Sequence, residues 1–125
     1  METSVLLSIK PEFADRIFQG SKRYEFRRTL FKDRSVKRIV VYASTPIRKV
    51  IGEFEVVDIL ELEKEYLWEQ TKDYSGIPKD YFDEYFHGRE TGFAIAIGDA
   101  ILYDTPLELS EIFNIERPPQ SFMYL

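Results

Sequence analysis

The sequence predicts an α+β fold, a small β-barrel core with helices inserted between its strands. Three observations predict it. Apolar runs rich in β-formers recur at Val5 to Ile9, Arg38 to Ala43 and Val50 to Leu60. Gly92 to Ile97 alternates bulky Phe93, Ile95 and Ile97 with small Ala94 and Ala96, which is the two-residue period of a strand. Between these, Phe13, Ala14, Ile17 and Phe18, and again Tyr81, Phe82, Tyr85 and Phe86, fall at the spacing that lines one face of a helix. A chain of 125 residues, 44% apolar and 15% aromatic, fits one domain over 1–125 with enough apolar surface for a packed core.

Each element has a local reason. Val5 to Ile9 is the first strand. Pro11 then occupies the first position of a helix, where its missing N–H costs nothing, and Glu12 adds a carboxylate to the first turn. Gly20 ends that helix, because a left-handed closing residue is cheap only without a Cβ. From Tyr24 to about Arg28 the chain alternates again: Tyr24 and Phe26 face one way, Glu25 and Arg27 the other. Thr29 to Lys37 is a polar, basic loop with a turn at Asp33. Arg38 to Ala43 is continuous enough to be a central strand, and Ser44-Thr45-Pro46 ends it in a turn. Val50 to Leu60 is a long strand whose parity slips after Val56-Val57, the mark of a bulge or bend. Long bent strands suit a small closed barrel.

Glu61 to Lys72 reads as a helix with Leu62, Tyr66 and Leu67 as its apolar stripe, broken by Ser75-Gly76. Pro78 opens the next helix, which His87 and Gly88 end. Its four aromatics are core residues or base-stacking platforms, and the helical spacing by itself already accounts for the core reading. Gly98-Asp99 interrupts the late strand, which resumes over Ala100 to Tyr103. Leu107 to Phe113 suggests a short helical turn. The tail closes on Phe122-Met123-Tyr124-Leu125, so it is expected to pack back on the barrel as a last strand rather than hang loose.

Composition narrows the chemistry. Without cysteine there is no disulfide, thiol nucleophile or thiolate metal site. The single histidine, His87, rules against multi-histidine metal centres, so no metal and no cofactor are expected. No apolar run reaches the about 18 residues of a membrane span, and Met1-Glu2-Thr3-Ser4 lacks a basic leader, so a cytoplasmic location is expected. The net charge of −5 is unevenly spread: residues 1–50 carry 12 Lys and Arg against 5 Asp and Glu, whereas the rest carry 5 against 17. Two readings are open. Arg23, Arg27, Arg28, Lys32, Arg48 and Lys49 form a basic face for nucleic acid, or the two halves pair their charges in the fold.

Gly20-Ser21-Lys22-Arg23-Tyr24-Glu25-Phe26-Arg27 is the stretch with the most chemistry. A turn followed by a strand brings an ammonium, a carboxylate and a guanidinium together on a rigid support. An ordinary solvated strand face with weak ion pairs is the alternative. The spacing G-x-K-x-x-E-x-R, carried by Gly20, Lys22, Glu25 and Arg27, resembles the motif of the ASCH family. The resemblance extends to the strand and helix before the motif, the long strands after it and the helical insertion before the late strand. It implies a PUA-like β-barrel of about five to six strands with flanking helices, in a superfamily implicated in RNA binding.

Three functions follow as expectations. The first is binding of RNA or of a modified nucleoside or nucleotide in a charged cleft, with Lys22, Glu25 and Arg27 as ligand contacts and Ser44 and Thr45 at a nearby strand end. The second is hydrolysis, with Lys22 and Glu25 as the catalytic pair. Some ASCH proteins are similar to N4-acetylcytidine amidohydrolases that use the motif Lys, a Thr and a later Glu. Here Glu25 stands in place of the Thr, and Glu69 or Asp73 is the available later acid. Other ASCH proteins act on RNA. The third is a regulatory or interaction domain in which the motif only braces the barrel. Tyr24, Tyr42, Phe122 and Tyr124 are candidates for a stacking face, though core packing also explains them.

Overall fold

The computed structural model describes residues 3–112 and 117–125. Among these residues ten α-helices and strands follow in order: β1 Ser4–Ile9, α1 Pro11–Gln19, β2 Tyr24–Arg27, β3 Arg38–Ala43, β4 Lys49–Glu63, α2 Lys64–Thr71, α3 Lys79–Tyr85, β5 Thr91–Leu107, α4 Leu109–Ile112 and β6 Phe122–Tyr124. The six strands form a single curled sheet, a half-barrel in the order β2-β5-β4-β3-β1-β6. β2 and β6 are its edges, so the expected closure is replaced by curling. β1 and β3 pair in parallel; the other pairs are antiparallel. The expected final strand is present, with Leu6 opposite Met123.

The continuous apolar runs of β1 and β3 have a simple cause: both faces of these strands are covered. Val5, Leu7, Ile9, Ile39 and Val41 enter the main core with Ala14 and Ile17 of α1. Leu6, Val40 and Tyr42 point the other way, against Val50 and Leu109. A third cluster joins Phe26 of β2 and Ala94 of β5 to Leu67, Ile77, Phe82 and Phe86 of the helical insertion. Fully burying an aromatic or branched aliphatic side chain contributes roughly 1.5–3 kcal/mol, so these clusters fix the insertion firmly on the sheet.

The register of β4 on β5 slips between Val50 and Gly52, and the two strands slip twice more, between Val56 and Asp58 and between Phe54 and Val56. The slip between Phe54 and Val56 lies opposite Gly98, where a Cβ would meet the side chains of Glu55 and Val57. The latter two positions match the bulge expected from the broken alternation. Two boundaries differ from the sequence reading. Glu61, Leu62 and Glu63 are strand rather than helix, because they pair with Phe93, Gly92 and Thr91; cross-strand pairing overrides their helix propensity. The helix then starts at Lys64, capped by Glu63, whose carboxylate accepts from the backbone N–H groups of Glu65 and Tyr66. Of the expected stripe, Leu67 is buried while Tyr66 is exposed. The C-terminal helical turn spans Leu109–Ile112, and Phe113 lies outside the described residues.

Candidate binding pocket

The motif begins where α1 ends. Gly20 is left-handed, with φ 93°, and its N–H is shared between the carbonyls of Arg16 and Ile17. Lys22 N–H also returns to Arg16 O, at 3.1 Å. This closing turn reverses the chain and sends the Lys22 side chain inward rather than into solvent. Lys22 is 1% exposed. Its Nζ donates to the carbonyl of Ser75 at 2.7 Å and lies 4.9 Å and 5.5 Å from the ring centroids of Phe26 and Phe13. Gly76, at φ 68°, passes so close that a Cβ there would fall on Cβ and Cγ of Lys22.

Glu25 and Arg27 follow on β2, at the sheet edge beside β5. Glu25 is also buried, 6% exposed. Its two oxygens lie 3.9 Å from Lys22 Nζ and 3.6 Å from Arg27 Nε. Arg27 donates through a terminal nitrogen to Ser8 O at 2.7 Å. Its Nε–H is buried and has no acceptor. The motif is therefore an interior cluster and not the solvated strand face that the alternation left open as the alternative.

Burial decides the state of the lysine. Removing the ammonium from water pushes the Lys22 pKa down from 10.5 to about 8; Glu25 opposes that shift, and Arg16 and Arg27 add to it. A substantial fraction of Lys22 is thus neutral at mildly alkaline pH, while near neutrality the amine is mainly charged.

These three side chains line one cavity of about 250 Å³. Ser8, Ile9, Lys10, Phe13, Phe26, Ser44, Ile77, Tyr81, Tyr85 and Gln120 complete its wall. Glu25 is the one carboxylate among those lining residues. A second cavity of about 580 Å³ shares Ser8, Ser44 and Gln120 with the first and is lined also by Thr45, Arg48, Glu108 and Ser110. Ser44 therefore stands between the two spaces, whereas Thr45 belongs to the second.

The remaining basic residues divide. Arg23 stacks on Tyr74 at 5.6 Å and Arg28 on Tyr85 at 4.7 Å; Tyr85 carries Arg28 to the side of the first cavity. Arg48 lines the second cavity, and Lys32 is exposed. Lys49 pairs with Glu108, Arg38 with Glu53 and Arg34 with Glu61. Both charge readings are thus realised in part: some of the N-terminal cations neutralise C-terminal acids, and others surround the cavities. Glu69 pairs with Lys72 on an exposed helix end and Asp73 is exposed; neither lines the first cavity.

The aromatic wall was not legible as such. Tyr24, Tyr42, Phe122 and Tyr124 do not line the first cavity; Phe13, Phe26, Tyr81 and Tyr85 do. The apolar stripe of α3 is two residues wide, but Phe82 and Phe86 alone fill the core beneath it. Tyr81 and Tyr85 are left half-buried, their rings stacked 11° from parallel with centroids 6.5 Å apart. Ser8, Lys10 and Gln120 gave no sequence signal. Among the described residues no group of three or more His, Cys, Asp or Glu is placed to hold a metal, and no helix is long and apolar enough to cross a membrane.

The family model of the ASCH domain matches residues 7–101, from β1 through the motif and the helical insertion into β5. The chain belongs to the ASCH family. It is 30% identical over 123 residues to the ASCH domain-containing ribonuclease of Zymomonas mobilis, covering 96% of this chain and 82% of that protein. The crystal structure of ASCH from Zymomonas mobilis superposes with a TM-score of 0.86 at 31% identity, over 98% of this chain and 87% of that one. The fold is thus the PUA-like one expected from the motif. The large ribosomal subunit protein uL22 of Ureaplasma parvum is 27% identical over 122 residues. That match covers 98% of this chain but only 39% of the uL22 relative's length.

Proposed function

We propose that this ASCH chain binds single-stranded RNA and seats one unpaired nucleotide in the cavity of Lys22, Glu25 and Arg27. The observation that carries the reading is the convergence of those three charged ends on a single aromatic-walled space. Unpaired bases are held by a ring face and by hydrogen bonds to their edges. Phe13, Tyr81 and Tyr85 supply faces, and the motif supplies both donors and an acceptor. The net charge of −5 disfavours binding through many phosphates, and a one-nucleotide pocket does not need them. The burial of Lys22 and the lowered pKa that follows from it fit a ligand-contacting role better than a brace.

A second reading is favoured by the Zymomonas mobilis relative, which is named a ribonuclease: cleavage of RNA at the same cavity. Neutral Lys22 would take the proton of a ribose 2′-hydroxyl as its oxygen attacks the adjacent phosphorus, and Arg27 would balance the charge on the phosphate. The bond to the 5′-oxygen breaks, leaving a cyclic phosphate and a 5′-hydroxyl that takes a proton from water. Deacylation of an N4-acylated cytidine has less support, because Glu25 replaces the expected hydroxyl and neither Glu69 nor Asp73 reaches the cavity.

Anisotropy titration of a labelled, unstructured RNA tests the binding reading. Lys22→Met and Tyr81→Ala are expected to weaken binding by about tenfold or more while the chain stays folded by circular dichroism. Binding equal to wild type in both variants would remove the cavity from the account. Electrophoresis of the same RNA after incubation reads cleavage; intact RNA with wild-type binding leaves the first reading and eliminates the second.

A further inference from the structure

The order of charges along the cavity floor carries more than affinity. Glu25 lies between two cations, one beside each carboxylate oxygen: Lys22 at 3.9 Å from Oε1 and Arg27 at 3.6 Å from Oε2. Both separations exceed hydrogen-bond length. The carboxylate therefore retains lone pairs for a ligand. Arg27 Nε–H is buried without any acceptor, and Lys22 Nζ, with three N–H bonds, makes one hydrogen bond, to Ser75. Buried donors left open are costly, and a bound group that fills them gains the corresponding free energy. The floor thus offers a donor, an acceptor and a donor in sequence.

A phosphate does not match that order, because its oxygens would meet the Glu25 carboxylate. A base edge does. The complementary sequence is acceptor, donor, acceptor. Among the unmodified RNA bases it belongs to uracil, whose O4 and O2 flank the ring N3–H. Cytosine and adenine turn an unprotonated ring nitrogen toward the carboxylate, lone pair against lone pair. Guanine offers its ring N–H and one carbonyl, but sets its amino group against the remaining cation.

We propose that the cavity selects an unpaired uracil, with Lys22 and Arg27 donating to its two carbonyl oxygens and Glu25 accepting its N3–H. Phe13, Tyr81 and Tyr85 flank the ring without reading it. The proposal rests on the RNA-binding reading above and names the base that the site takes. Glu25 is the specificity-determining residue: it separates uracil from cytosine, which has the same ring size and the same O2.

Short labelled oligomers of uridine, cytidine and N3-methyluridine test it by anisotropy, with wild type, Lys22→Met and Glu25→Gln. The uridine oligomer is expected to bind about tenfold or more tighter than the other two, since each leaves Glu25 without a donor. The N3-methyl arm needs no substitution in the protein, so it decides even where a variant is unstable. Gln at position 25 presents an amide that both donates and accepts, and is expected to narrow the gap between uridine and cytidine. Equal binding of all three oligomers, weakened in Lys22→Met, overturns the selection and leaves RNA binding standing. Binding of none of them, or binding unchanged in Lys22→Met, overturns the RNA-binding reading and the selection with it.

Discussion

Lys22 makes the energetics of the pocket measurable. Its pKa falls from 10.5 in the unfolded chain to about 8 in the folded one, chiefly through burial. Below about pH 8 the amine is charged in both states, and the folded state carries the full cost of a desolvated ammonium. Between about 8 and 10.5 the folded chain has released the proton and the unfolded chain still holds it. The unfolded state then binds more protons, so stability rises with pH across that window. The span from 10.5 to about 8 corresponds to about 3 kcal/mol. Lys22→Met keeps an unbranched side chain of similar reach and removes the titration. Urea unfolding of wild type and variant, below pH 8 and near pH 10.5, isolates the effect, because titrations common to both cancel in the difference. Wild type should gain about 3 kcal/mol on the variant over the window. A difference that stays constant with pH would refute the burial of a charge at this position.

Two further outcomes follow from the same packing. Gly76→Ala should weaken RNA binding, since the new Cβ would occupy the place of the Lys22 side chain, and should lower stability by at least about 1–2 kcal/mol for a left-handed residue. Gly88→Ala is the comparison, with φ 79° and open space around it: thermal melting should register the backbone cost while anisotropy shows unchanged affinity. Arg28 at the side of the first cavity and Arg48 in the second are expected to meet phosphates flanking the seated base. Alanine at either should reduce the dependence of log affinity on log salt by about 0.7, the value of one single-strand phosphate contact; an unchanged slope would place the RNA backbone elsewhere.

Most of the sheet was legible because its strands carry their own signals. β1 and β3 are apolar throughout since both faces are covered, and β5 alternates large and small. The end of β4 was not legible. Glu61, Leu62 and Glu63 have helix propensity, and their strand conformation comes from partners about thirty positions later on β5. Of the site, the motif residues that line the cavity, Lys22, Glu25 and Arg27, stand two, five and seven positions after the Gly20 cap, the local signal that precedes them. Their shared cavity depends instead on Ser8, Ser44, Gln120 and the tyrosines of α3, which come from four separate segments. Tyr81 and Tyr85 have the spacing of core residues, and no local pattern distinguishes them from Phe82 and Phe86.

What the amino-acid order determined was local: which segments are strands or helices, the left-handed stop at Gly20, and the placing of Lys22, Glu25 and Arg27 on the turn and strand that follow. Tertiary structure decided the depth of the site. Lys22 meets the Ser75 carbonyl across 53 positions of sequence, and Phe13, Tyr81 and Gln120 close the wall from three other parts of the chain. Desolvation is set by everything that packs around a charge, whatever its distance along the chain. The identity of Lys22 could therefore be read from the sequence, while its depressed pKa and its open hydrogen bonds exist only once the helical insertion has settled against the sheet.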